Sequence, residues 1–114
     1  MSVRDKRIFQ LHAELCKTLA NPIRLEILSL LRDGKKSVTE LAELTGVRQA
    51  TVSQHLAMLR QRGVVSTKRE GINVYYDVAN PKVTVACDII REVLFEYITS
   101  MKEISLNEEA KVRA

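Results

Sequence analysis

The segment from residue 48 to residue 70 concentrates cationic side chains that could bind a polyanion. It contains five cationic residues and a single carboxylate, so the chain's entire formal net charge of +4 lies within it. Such cations neutralise phosphate groups and release condensed counterions, which favours nucleic acid as a partner. A solvated charged surface would have the same composition, so charge alone leaves both interpretations open. We expect phosphates to be held, and the register on the duplex to be set, by Arg48, Arg60, Lys68 and Arg69.

Small and amide-bearing residues follow Arg48 with the spacing of one helical face. The major groove, roughly 12 Å wide, accepts a surface of this kind. The amides of Gln49 and Gln54 could bind adenine in a bidentate manner, and the hydroxyl of Ser53 could contact a base or a phosphate. The face would consist of Ala50, Ser53, Gln54 and Ala57, with Thr51 at its edge.

The same segment contains one histidine, His55, next to the apolar stripe of the predicted helix. We expect this side chain to contact a phosphate or to pack within the protein, in preference to catalysis or metal binding. Ser53, His55 and the scattered carboxylates form no recognisable nucleophile–base set. Residues 33–37 lack the first glycine of a phosphate-binding loop. The sequence therefore predicts no enzymatic activity.

Caps, turns and hydrophobic periods predict the elements that position these residues. Asn21-Pro22 and Asn80-Pro81 are typical helix starts, and Ser37 with Glu40 forms a capping box. The predicted fold is mainly α with a small β-hairpin (α+β), in one domain over residues 1–106 followed by a polar tail over 107–114. Helices are predicted over residues 5–19, from 22 to about 33, from 38 to 46, over 48–62 and over 81–106. Strands are predicted over residues 64–70 and 73–78.

The third and fourth helices would form a helix-turn-helix that buries its apolar side chains together. The predicted members of this core are Leu41, Leu44, Val52, Leu56 and Leu59. Such a core needs neither the first nor the last helix to close it, yet both carry apolar stripes. Surplus stripes of this kind usually pack against a partner, so a homodimer is expected.

Several motifs together resemble the ArsR/SmtB family of winged helix-turn-helix repressors over nearly the full length of the chain. They lie at residues 19–28 (LANPIRLEIL), 39–42 (TELA), 52–56 (VSQHL) with Leu59-Arg60, and 71–76 (GINVYY). The resemblance implies a homodimer joined by the first and last helices, which binds a near-palindromic operator and is released by an effector. It also places Gln49, Thr51, Ser53, Gln54 and His55 on the recognition helix, and Lys68 and Arg69 on the wing.

Two positions depart from the patterns of this family. Arg48 stands where the family usually has a serine at the start of the recognition helix, so a cap is lost and a charge is gained. The Arg48-Gln49-Ala50 version resembles the sulfide-sensing branch, which uses a cysteine in the second helix. The corresponding residue here is Ser29, so that sensing chemistry does not transfer. The third helix also lacks the Cys-x-Cys of arsenic, lead and cadmium sensors, and residues 81–106 lack the histidines of zinc sensors.

The remaining candidates for sensing are His12, Cys16 and Cys87. His12 and Cys16 are four residues apart and so share one helical face. Three interpretations stay open: both cysteines are small apolar fillers beside a surface histidine, the thiols form a redox or sulfur switch, or the three residues bind a metal or metalloid ion.

The expected compartment is the cytoplasm. The N-terminal residues are charged, no apolar stretch reaches the roughly 18 residues of a membrane span, and two distant cysteines make no disulfide framework. The expected partner is double-stranded operator DNA. The competing hypothesis is a winged-helix module that binds protein or RNA without reading a DNA sequence.

Overall fold

A computed structural model describes residues 5–113 of the chain. The order of elements is five helices with a two-stranded hairpin before the last one: α1 (Lys6–Leu19), α2 (Pro22–Leu31), α3 (Val38–Thr45), α4 (Gln49–Gln61), β1 (Val65–Glu70), β2 (Asn73–Val78) and α5 (Pro81–Arg113). The chain divides into two compact units, of which the first ends at Thr84 and the second begins at Val85.

The first three helices begin where side chains satisfy their unpaired N–H groups. The Asp5 carboxylate accepts from the backbone N–H of Arg7 at 2.9 Å, and the Asn21 side chain accepts from that of Ile23 at 2.9 Å. The capping box predicted before α3 is present, because the Ser37 hydroxyl accepts from the N–H of Glu40 and the Glu40 carboxylate accepts from that of Ser37. Local sequence signals therefore locate these helix starts correctly.

The core of the first unit joins α2, α3, α4 and the start of the hairpin. Its buried members are Ile27, Leu28, Leu31, Leu41, Val52, Leu56, Leu59, Val64 and Val65. The prediction that Leu44 belongs to this core is wrong, since the side chain is 54% exposed. Leu44 lies three positions after the fully buried Leu41, which turns it about 60° away around the short helix α3.

The hairpin pairs β1 with β2 in an antiparallel register from Val65↔Val78 to Glu70↔Asn73. Two residues connect the strands, and the first of them, Gly71, has a φ of +63° that favours glycine. A feature that the sequence pattern did not predict is a bridge from the loop before α3. The N–H of Lys36 donates to the carbonyl of Tyr76 at 3.0 Å, and the N–H of Tyr76 donates back at 2.8 Å. The hairpin is thereby attached to the segment that leads into the helix-turn-helix.

The last helix continues beyond its predicted end. The sequence analysis ends it at Leu106, whereas α5 extends to Arg113. Residues 107–113 contain no glycine or proline and are mostly good helix formers, so the polarity of this segment does not stop the helix. Large apolar side chains are exposed along α5, among them Ile90, Val93, Tyr97, Met101 and Ile104. Within residues 5–113, no helix is both long and apolar enough to cross a membrane.

Candidate nucleic-acid interface

A glycine turn presents α4 at the surface of the first unit. Gly46 ends α3 with a φ of +71°, and its N–H donates to the carbonyl of Ala42 at 3.0 Å. The turn is supported by Thr45, whose hydroxyl donates to the carbonyl of Leu41 at 2.7 Å and accepts from the N–H of Val47 at 3.3 Å. Thr45 thus connects the buried part of α3 to the segment that begins the recognition helix.

The two faces of α4 differ as the sequence predicts. Val52, Leu56 and Leu59 are fully buried, which fixes the side of the helix that packs on the core. The small and amide-bearing side chains on the other side are exposed: Gln49, Ala50, Ser53, Gln54 and Ala57. Thr51 is half-buried at the edge of this surface. The outward face therefore combines the hydrogen-bonding side chains of Gln49, Ser53 and Gln54 with the small methyl groups of two alanines.

The cations predicted to hold phosphates lie at the two ends of α4 and on the hairpin. Arg48 occupies the position before α4, where its side chain makes no capping hydrogen bond. Arg60 is exposed in the last turn of the helix, and Lys68 and Arg69 are exposed on β1. These four cations are exposed on the elements at the two ends of α4 and on β1, where they are available to phosphates.

Two other charges of the basic segment are engaged within the protein. Arg62 lies 3.7 Å from the Glu14 carboxylate of α1, measured from Nη1 to Oε2. Glu70 is paired with Lys35, whose ammonium also lies 5.2 Å from the centre of the Tyr75 ring. The carboxylate beside Lys68 and Arg69 is thus neutralised by a cation from the loop before α3. Sequence reasoning missed this pair because 35 residues separate its members.

His55 faces the protein as well as the edge of the predicted DNA surface. The side chain is half-buried, and its Nδ1 accepts a hydrogen bond from Nε of Arg24 at 3.1 Å. Partial burial and the positive charge of Arg24 lower the pKa of His55 below its ordinary value of 6.5. The contact to Arg24 is a role that sequence reasoning did not assign, although it left packing within the protein open.

The three sensing candidates differ in exposure. His12 and Cys16 are exposed one turn apart on α1, whereas Cys87 is buried in α5 with 8% of its surface exposed. Among the side chains of residues 5–109, no group of three or more His, Cys, Asp and Glu residues is arranged to hold a metal ion. Of the three candidates, His12 and Cys16 are therefore the two that share the exposed surface of α1.

A helix-turn-helix with an exposed polar second helix, beside a cationic two-stranded hairpin, defines a winged helix-turn-helix protein of the DNA-binding class. The chain belongs to the arsR family of bacterial regulatory proteins, and the model of that family matches residues 21–67.

Alignments with individual relatives extend this similarity beyond residues 21–67 to most of the chain. An uncharacterised HTH-type transcriptional regulator of Mycobacterium tuberculosis, Rv0081, is 39% identical over 93 residues, which cover 81% of this chain and 82% of that protein. The transcriptional repressor PagR of Bacillus anthracis is 43% identical over 72 residues, which cover 62% of this chain and 72% of PagR.

Solved structures agree with the sequence relatives. The crystal structure of Rv0081 matches with a TM-score of 0.75 at 36% identity, covering 82% of this chain and 94% of that one. The homodimeric winged helix-turn-helix DNA-binding domain of Mb0332 from Mycobacterium bovis matches with a TM-score of 0.73 at 34% identity, covering 84% and 89% of the two chains. The predicted family, fold and role in transcription regulation are thereby confirmed.

Proposed function

We propose that the chain acts as a homodimeric repressor that binds a near-palindromic operator in double-stranded DNA. The observation that carries this proposal is the division of α4 into a fully buried apolar face and an exposed face of small and amide side chains, with exposed cations at the ends of the helix and on the hairpin. A dimer would place two such helices about one helical turn apart in successive major grooves. Occupation of a promoter by the dimer would block transcription without any further contact surface.

In this arrangement the exposed residues divide into two groups. Gln49, Ser53 and Gln54 would read base edges, with Thr51 at the margin. Arg48, Arg60, Lys68 and Arg69 would hold phosphates and fix the register. His55, whose Nδ1 is bonded to Arg24, would reach DNA only through its other ring nitrogen.

Exposed apolar side chains support the homodimer. Large apolar side chains are exposed on α1, at Phe9 and Leu11, and along α5. Together they form more exposed apolar surface than a monomeric protein usually presents to water. The homodimeric form of the Mb0332 domain supports the same assembly.

The test begins with duplex DNA that the protein itself enriches from a randomised library. We expect fluorescence anisotropy to give an affinity for the enriched duplex at least roughly a thousandfold higher than for random DNA, since specific regulators reach such ratios. Expression of a reporter placed behind the enriched site should fall when the protein is present. Equal affinities for both duplexes would contradict sequence-specific binding, and a rise in reporter expression would make the protein an activator.

We further propose that an effector or a thiol modification relieves repression, with His12, Cys16 and Cys87 as the candidate residues. The exposed His12–Cys16 pair supports a metal, metalloid or thiol event on α1. Operator affinity of the Cys16→Ser and Cys87→Ser variants, measured under reducing and oxidising conditions and with added arsenite or zinc, tests this. Affinity that stays unchanged in every condition, for wild type and variants alike, would exclude these residues as sensors.

The alternative, a module that binds protein or RNA, is separated by the salt dependence of binding. A DNA regulator that contacts several phosphates should lose affinity for duplex DNA steeply as the salt concentration rises. It should bind an RNA duplex of matched sequence only weakly, because the grooves of A-form RNA differ. Because a regulator of this kind acts on the chromosome, we expect it in the cytoplasm. We also expect no enzymatic activity, since the sequence contains no recognisable nucleophile–base set.

A further inference from the structure

One arginine of α2 connects the end of α1 to the recognition helix. The guanidinium of Arg24 donates through Nε to Nδ1 of His55 on α4 at 3.1 Å, and through Nη1 to the backbone carbonyl of Thr18 at 3.0 Å. Thr18 is buried near the end of α1, and Arg24 is half-buried. Three helices therefore meet at a single side chain.

The position of Arg24 is itself well determined. Its backbone N–H donates to the Asn21 side chain at 3.2 Å in the cap of α2, so the residue lies in the first turn of a capped helix. A guanidinium is planar and carries donors in a fixed fork, so two bonds to two partners define its orientation. The ring of His55 is thus bonded to a guanidinium whose backbone is held in the cap of α2 and whose Nη1 is held by the Thr18 carbonyl.

The bond also determines the protonation state of His55. A guanidinium only donates hydrogen bonds, so Nδ1 must accept and the ring must be neutral, with its proton on Nε2. A protonated ring would lose the acceptor and would place a second cation against Arg24. The charged group that faces the ring from α2 is Arg24, while α1 contributes the uncharged Thr18 carbonyl to the same guanidinium.

We infer that Arg24 is a positioning residue for DNA reading, which holds α4 in its reading orientation only while His55 is neutral. This inference rests on the proposed function. His55 directly follows Gln54, and successive residues differ by about 100° around a helix, so a bond that holds His55 also sets the side of α4 from which Gln54 projects. We call the Thr18–Arg24–His55 contacts the clamp. Acidification opens it at the Arg24–His55 bond, because a protonated Nδ1 cannot accept.

The sign of the pH effect separates this role from a direct DNA contact. A histidine that binds phosphate gains affinity when it becomes protonated, because it acquires a positive charge. The clamp predicts the opposite, namely that operator affinity falls as His55 is protonated. Since the pKa of His55 is lowered in the folded state, the folded protein binds fewer protons than the unfolded chain, and stability also begins to fall below about pH 6.5.

The first experiment follows operator affinity and the ring protonation of His55 over the same pH series. The probe is the duplex enriched from the randomised library, and NMR of the ring protons gives the pH range over which His55 titrates. We expect the affinity of the wild type to fall on the order of tenfold across that range, as for the loss of one hydrogen bond to a charged group. Affinity that is constant or rises as His55 titrates would overturn the inference.

Two substitutions provide matched controls, because the chain has 2 histidines. His55→Gln carries an amide oxygen that can accept a hydrogen bond but does not titrate, so its operator affinity should stay constant from pH 7.5, about one unit above the ordinary histidine pKa, into acid. His12→Gln removes the exposed histidine of α1 and should retain the wild-type pH profile. A pH response that persists in His55→Gln would assign it to other groups and refute the clamp.

A double-mutant cycle tests the pair without titration. Arg24→Met removes the donor but keeps an unbranched stem, and His55→Phe removes the acceptor but keeps a ring. If the clamp positions α4, each change lowers affinity for the enriched duplex more than for random DNA, and the double variant loses no more than the worse single one. Additive losses, or equal losses on both duplexes in variants whose thermal unfolding shows them folded, would overturn the inference. Failure of the wild type to distinguish the duplexes near pH 7.5 would instead contradict the proposed function.

Discussion

At the scale of single residues, the environment of a side chain decides its role more than its type does. Arg62 and Arg69 are both surface arginines of the basic segment, yet Arg62 lies near Glu14 whereas Arg69 is exposed on the hairpin. Leu41 and Leu44 share the short helix α3, yet one is buried and the other exposed. Substitutions at such pairs separate roles that the sequence alone treats as equal.

The proposed division between base reading and phosphate binding predicts different effects for Gln54 and Arg69. Gln54→Ala should cost about 1–3 kcal/mol on the enriched duplex and relax the preference at one base step. Arg69→Ala should weaken binding to enriched and random DNA alike, and lower the salt slope by about 1. Anisotropy titrations over a salt series, with a set of singly substituted duplexes, measure both. The same loss for both variants on every duplex would count against base reading by Gln54.

The packing of α3 predicts a large difference between two leucines. Leu41→Ala should lower the free energy of unfolding by about 2–5 kcal/mol, because it opens a cavity in a fully buried site. Leu44→Ala should change it by less than about 0.5 kcal/mol, because the side chain is mostly exposed. Urea unfolding monitored by circular dichroism gives both values. A large loss for Leu44→Ala would indicate that this side chain is covered in solution.

At the scale of elements, short-range bonds determine where the helices begin, and long-range bonds determine how the hairpin is attached. The capping box before α3 joins residues three apart. The attachment of the hairpin depends on Lys36 pairing with Tyr76 and on Lys35 pairing with Glu70, both from the loop before α3. This loop therefore attaches the hairpin to the segment that begins the helix-turn-helix.

Removal of the cap before α3 should destabilise the helix-turn-helix. Ser37→Ala leaves the N–H of Glu40 without its acceptor, so the free energy of unfolding should fall by about 1 kcal/mol. Ser29→Ala, at an exposed position within α2, provides the control and should be neutral or slightly stabilising. Thermal unfolding at equal protein concentration compares the two. Equal behaviour of both variants would show that the cap contributes nothing measurable.

At the scale of the whole molecule, the large apolar side chains exposed along α5 require a covering surface. Burial of such a surface between two copies would make stability depend on protein concentration, because association favours the folded form. The proposed operator symmetry follows from the same two-fold arrangement. Dimerisation and specific DNA binding should therefore be lost together.

A charge introduced into the α5 stripe tests this link. Val93→Glu places a carboxylate on the exposed apolar face and should produce a monomer with at least roughly tenfold weaker operator binding, since an unpaired charge is costly to bury. Thr99→Glu adds the same charge at an exposed position on another side of the helix and should leave the assembly unchanged. Sedimentation equilibrium and anisotropy give the two readouts. A monomeric wild type that still binds the enriched duplex with full affinity would contradict the dimer.

The sequence by itself determined the features that depend on neighbours along the chain. Helix starts at Asn21 and Ser37, the turn at Gly46, the hairpin turn at Gly71 and the two faces of α4 all follow from caps, backbone preferences and periodicity. The family motifs then specified the fold and the class of partner. The largest error in an element boundary was the end of α5, because polarity is a weaker signal than helix propensity.

The tertiary structure alone decided which distant side chains meet. The bond from Arg24 to His55 spans 31 residues, and the pair of Lys35 with Glu70 spans 35. The exposure of Leu44 likewise depends on how α3 lies on the core rather than on its own period. Hydrophobic burial of α2 and α4 brings these elements together from remote parts of the chain, and no local pattern encodes which polar partners that packing leaves in contact.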